Sequence, residues 1–173
     1  MNRWVVFALA ACAVATAGCD DNDTTSPSDL PAVFSTILRP ANEVPPITNT
    51  EANGTGAAQI TLHLTRSTAG AISAATADFY FQMAGFPGNT SVVGAHIHPG
   101  VAGVNGPVMV NTGLSATAPF VAATGTGEFR ATGIDVAPAL AQQIIDNPAG
   151  FYFNIHSPLN PGGFARGQLA RVQ

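Results

Sequence analysis

The sequence predicts an all-β fold: an antiparallel Greek-key sandwich or barrel carrying one short helix. Three observations lead there. Only 9% of the 173 residues are charged while 46% are hydrophobic, and 18 Gly and 13 Pro punctuate the chain, which suits a turn-rich β protein better than a helical bundle. Short runs of alternating apolar and polar residues recur between clusters of Gly, Pro and Asn. A single segment has helical spacing.

Taken in order, residues 33–39 form a first strand. Residues 40–54 form a loop, because Pro45 and Pro46 have no amide hydrogen to give a sheet. Residues 56–66 alternate cleanly, with Ile60, Leu62 and Leu64 on one face and Thr61, His63 and Thr65 on the other. After a turn at Ala69-Gly70, residues 72–83 form a strand ending in Phe79, Tyr80 and Phe81. Residues 85–89 turn the chain into a strand over 92–98. Residues 99–107 are loop, 108–110 a short strand, and 119–130 a longer one on which Glu128 and Arg130 share a face. The helix is expected over 138–147: Pro138 suits its first turn, Asp135 precedes it, and Leu140, Ile144 and Ile145 form its apolar stripe. Strands over 151–156 and 164–172 complete roughly eight strands at even spacing, the pattern of a sandwich or barrel.

The beginning of the chain has a different character. Arg3 precedes an apolar run from Trp4 to Ala15, of signal-peptide length and too short for an ordinary membrane span. Thr16-Ala17-Gly18-Cys19 then resembles the lipobox of bacterial lipoproteins, with Thr16 where an aliphatic residue is usual. Residues 1–18 are therefore expected to be a lipoprotein signal peptide and Cys19 the lipidated N-terminus. The alternative is cleavage after Ala17, which leaves Cys19 a free thiol. Residues 19–31, acidic and polar, form a flexible tether, and residues 32–173 form the β domain. Cys12 lies in the leader, so the domain has no disulfide and depends on its packed core. All six basic residues are scattered arginines against ten acids; without Arg3 the charge is 5 − 10 = −5, which argues against a nucleic-acid partner. The expected membrane contact is the lipid anchor.

Three of the four histidines carry the functional question. Strand alternation puts His96 and His98 on one face, with Ala95 and Ile97 on the other. Over 151–156 the same rule places Tyr152, Asn154 and His156 together, opposite Phe151, Phe153 and Ile155. If these strands are neighbours, His96, His98 and His156 converge as ligands for copper or zinc, with Tyr152 and Asn154 close by. Otherwise they are solvated, or bonded to loop carbonyls. His63 is read as a surface residue. Arg166 is expected in a salt bridge with an acid such as Glu128, or guiding an anion toward His156. No nucleophile elbow, phosphate loop or CxxC motif occurs.

Glu43-Val44-Pro45-Pro46, Ala95-His96-Ile97-His98-Pro99-Gly100, Asn105-Gly106-Pro107-Val108, Tyr152-Phe153-Asn154-Ile155-His156 and Pro161-Gly162-Gly163-Phe164-Ala165-Arg166-Gly167-Gln168-Leu169 resemble the CHRD domain, named from chordin and also found in bacterial exported proteins. The resemblance runs from about Ala32 to the C-terminus. Phe164 departs from a frequent Glu, and Ser157 from a frequent Thr. The resemblance implies an immunoglobulin-like β-barrel and no carried-over catalytic activity. Gly94-Ala95-His96-Ile97-His98 is also loosely similar to the copper-ligand strand of copper–zinc superoxide dismutase, without that family's disulfide or zinc cluster. The function expected is a lipid-anchored, extracytoplasmic binding or envelope module facing the periplasm or cell surface, with a protein or metal ligand. The alternative is a copper- or zinc-binding metalloprotein with dismutase-like redox chemistry.

Overall fold

A computed structural model describes residues 30–173. The leader over 1–18, the lipidation residue Cys19 and the tether up to residue 29 lie outside the described residues. Among the described residues eleven strands run β1 (Ala32–Leu38), β2 (Thr55–Arg66), β3 (Ile72–Ala84), β4 (Thr90–Val92), β5 (Gly94–Pro99), β6 (Val110–Asn111), β7 (Phe120–Ala122), β8 (Gly127–Val136), β9 (Phe151–His156), β10 (Ala165–Gln168) and β11 (Ala170–Arg171). The helix α1 (Pro138–Asp146) lies between β8 and β9.

The strands form a large sheet ordered β11-β1-β2-β3-β8, a small sheet ordered β10-β9-β5-β6, and a β4-β7 pair. Every strand pairing is antiparallel. The run β11-β1-β2-β3 has the Greek-key order, in which the last strand returns over a long connection to lie beside the first. Both main sheets keep free edges, so the architecture is a sandwich and not the closed barrel named as its alternative.

The core lies between the two sheets. Phe34, Ile60, Leu62, Phe79 and Phe81 from the large sheet meet Ala95, Ile97, Phe153 and Ile155 from the small one, all 2% exposed or less. Phe153 stacks on Phe79 at 5.8 Å between ring centroids. Burying one such ring stabilises the fold by roughly 2–3 kcal/mol. Helix α1 closes one side with Leu140, Ala141 and Ile144. Pro138 occupies its first turn as expected, whereas Asp135 lies within β8 and does not cap it.

Three expected strands prove to be broken. The strand over 92–98 divides at Val93: β4 pairs with β7, whereas β5 joins the small sheet. The strand over 119–130 is interrupted at residues 123–126, where Gly125 has φ +74°. The last strand splits at Leu169, with β10 in the small sheet and β11 in the large one. Each break lets the chain change sheets, a demand of the sandwich that local alternation does not report.

Candidate metal centre

Strands β5 and β9 are hydrogen-bonded neighbours, with Gly94 opposite His156, His96 opposite Asn154 and His98 opposite Tyr152. The side-chain period of two then sends Ala95, Ile97, Phe153 and Ile155 into the core and puts the three histidines together on the far face. That face is roofed by the β1–β2 loop, the β5–β6 loop and the β9–β10 turn, so all six residues of β9 are buried.

The three rings form a triangle. Centroids lie 4.7 Å apart for His96 and His156, 5.6 Å for His96 and His98, and 5.7 Å for His98 and His156. One nitrogen from each can be chosen so that all lie within 4.8 Å of one another. Tetrahedral ligands at ~2.0–2.1 Å from zinc sit about 3.3 Å apart, so ring rotations must draw these nitrogens inward by up to roughly 1.5 Å.

Two of the three candidate ligands are oriented by the roof. Nδ1 of His98 lies 3.0 Å from the Gly106 carbonyl, and Nδ1 of His156 lies 3.0 Å from the Pro161 carbonyl. A carbonyl only accepts, so each Nδ1 carries the proton and each Nε2 presents a lone pair. Both Nε2 atoms are buried with no hydrogen-bond partner, and so is Nδ1 of His96. The loop-carbonyl alternative and the ligand reading are therefore compatible: the carbonyls hold one nitrogen and leave the other free.

Burial favours the neutral form of the three rings. Desolvation, reinforced by His156 and His98, pushes His96 down to about 4. His98 and His156 are also lowered by burial, partly offset by their carbonyl bonds. Neutral imidazole is the form that binds metal.

A family model described as the CHRD domain matches residues 34–169. The chain belongs to the CHRD domain family. No curated protein and no solved structure matches it, so the likeness to superoxide dismutase gains no support. The matched range covers both histidine strands and the loops that roof them. Phe164 is fully buried against Phe86 at 5.0 Å, and the Ser157 hydroxyl donates to Glu51 at 2.8 Å.

Behind the histidines lies a second polar group. Tyr152 stacks on His98 with centroids 4.9 Å apart and planes 6° from parallel, and its hydroxyl accepts the Gly106 amide at 3.1 Å. The Arg166 guanidinium lies over the Tyr152 ring at 4.6 Å. Arg166 is 1% exposed and donates to the Asn42 carbonyl at 2.7 Å and to Asn105 Oδ1 at 2.7 Å. Its acid is Glu43, at 3.9 Å, and not Glu128, which instead accepts the Tyr80 hydroxyl on the large sheet. That separation is long and the nearest guanidinium nitrogen is already bonded, so desolvation prevails and Glu43 is raised to about 7 despite Arg166. Asn154 donates to the Gly162 carbonyl at 3.4 Å.

Glu43, Asn105 and Gly94 were not among the expected site residues. The signal for Glu43 was one of two acids, with Glu51, in a proline-containing loop of a chain poor in charge. His63 is exposed and bonded to Asp78 at 2.9 Å. A hollow of about 600 Å³ beside Ile37, Ala57 and Gln82 lies on the outer side of the large sheet and has no histidine in its lining. A cleft of about 330 Å³ between Val44-Pro45-Pro46 and residues 159–163 adjoins the roof of the histidine site.

Proposed function

We propose that this CHRD domain is an extracytoplasmic, lipid-anchored module that binds one copper or zinc ion through His96, His98 and His156. One observation supports this above the rest: each of the three clustered rings has a buried nitrogen without a partner among the described residues, and the rings offer one nitrogen each within 4.8 Å of one another. A buried polar atom left without a partner costs about 1–3 kcal/mol. A single cation accepts all three lone pairs at once, and three nitrogens with a fourth position open is a common arrangement for zinc and copper proteins. Tyr152 and the two carbonyl bonds set the ring orientations, and Arg166 with Asn154 braces the strands behind them. The metal would supply Lewis acidity or, if copper, one-electron chemistry.

The envelope half of the proposal rests on Arg3, the apolar run Trp4 to Ala15 and the lipobox-like Thr16-Ala17-Gly18-Cys19. A multiply acylated Cys19 would hold the domain at a membrane, since one acyl chain binds only marginally.

Elemental analysis of protein purified without a histidine tag tests the site. About one copper or zinc ion per chain is expected, falling to background in His96→Ala/His98→Ala, together with a higher melting temperature when metal is added to the wild type. No stoichiometric metal and no thermal shift would reject metal binding. Separately, Cys19→Ser should abolish acylation and release the protein from membranes; unchanged retention would reject the anchor.

A further inference from the structure

We infer that the three ligands have unequal roles: His98 and His156 form a fixed pair, and His96 is the exchangeable ligand that swings to admit and release metal, with Gly94 as its positioning residue. This rests on the metal-binding reading above.

The inequality lies in what restrains each ring. His98 is held by its bond to Gly106 and sandwiched against Tyr152, and His156 is held by its bond to Pro161. They are 5% and 8% exposed. His96 has no hydrogen bond to a described residue, its Nδ1 is without a partner, and its side chain is only half-buried. A ligand fixed from its second nitrogen is preorganised, whereas one without such a bond must be ordered when metal arrives. His96 therefore has a rotamer change open to it that the other two lack.

Gly94 sets where the inward rotamer ends. A Cβ placed on Gly94 would lie 2.8 Å from His96 Cε1 and 3.5 Å from His156 Cβ. The bare glycine thus lets the His96 ring fold back along its own strand toward His156, the residue paired with Gly94. A methyl group there meets the mobile end of a side chain, so it displaces the ring and leaves the strand in place.

Cobalt(II), whose visible d–d bands report coordination, and zinc released to a chelator in stopped flow are suitable probes for tag-free protein. The wild type should bind one cobalt, and His98→Ala and His156→Ala should bind none. His96→Ala should keep a weakened two-ligand site, Gly94→Ala should keep a site weakened about tenfold to a hundredfold, the range typical when a ligand's positioning is lost, and both should release zinc faster. Gly94→Ala should add nothing to His96→Ala, because it acts through that ring. A His96→Ala variant as defective as His98→Ala, a Gly94→Ala variant equal to wild type, or additive effects in the double variant would overturn the inference while leaving metal binding intact. A wild type that binds neither cobalt nor zinc would overturn both. Ring-proton NMR of the unsubstituted apoprotein tests the same asymmetry without any substitution. Slowly exchanging Hδ1 protons are expected on His98 and His156 and none on His96; equal protection of all three would overturn it.

Discussion

The outer faces of the two sheets carry the same kinds of residue and use them in opposite ways. On the large sheet, His63 meets Asp78 at 2.9 Å, Tyr80 donates to Glu128 at 2.8 Å, and Arg130 lies over the Tyr80 ring at 4.1 Å. On the small sheet a histidine, a tyrosine and an arginine stack in sequence: His98 on Tyr152, and Tyr152 under Arg166. The first set faces water. The second lies under three loops, and its polar atoms pair with groups of those loops or with nothing among the described residues. Alternation along a strand places the residues in both cases; the roof decides whether they are ordinary surface polarity or a site.

Paired substitutions test that contrast. Arg166→Ala should cost about 3–5 kcal/mol in denaturant unfolding, as expected when a buried, multiply bonded charge is removed beside its partner. Arg130→Ala should cost about 1 kcal/mol or less. Equal losses would mean that the roof contributes nothing to the difference.

Glu43→Gln should act through pH. Between pH 4.5 and about 7 the folded protein keeps a proton on Glu43 that the unfolded chain has released. Its contribution is thus complete below pH 4.5 and fades as pH rises through 7. The variant should match wild type near pH 4.5 and exceed it at pH 8 by up to roughly 3 kcal/mol. A difference independent of pH would show that Glu43 titrates normally. The histidines act in the opposite sense: their folded values lie below 6.5, so their contribution is present above that pH and is lost as pH falls, toward about 4 for His96.

Tyr152→Phe should cost about 1–2 kcal/mol, because it strands the Gly106 amide, whereas Tyr80→Phe should leave the unfolding midpoint unchanged. The smallest effect is expected from His63→Ala, about 0.5 kcal/mol or less, since its bond to Asp78 is exposed. A larger loss would place an unrecognised constraint on the open face.

Much of the site was legible because it depends on local rules. Period-two alternation paired His96 with His98, and Tyr152 with Asn154 and His156, and the β5–β9 pairing joined the two sets. Strand β2 and the helix were readable for the same reason, from side-chain spacing within one element. What escaped depends on contacts far apart in the chain. Arg166 meets Glu43 across more than a hundred residues, and the salt-bridge partner expected from strand logic, Glu128, lies in the other sheet. The complete burial of β9 was hidden as well, since Tyr152, Asn154 and His156 look like a wet face until the loops fold over them. Gly94 was seen as part of a motif, but its purpose appears only with the His96 ring lying beside it.

The placement of β1 has a mechanical consequence. This first strand lies between β11 and β2, with seven residue pairs to β2 and further backbone bonds from Val33 to the C-terminal residues Val172 and Gln173. A load entering at residue 30 pulls along the axis of β1 and strains these lateral bonds together, in shear. Peeling would break them one at a time under a smaller force. A pull from residue 30 thus loads the large sheet, while the histidine cluster sits on the small one.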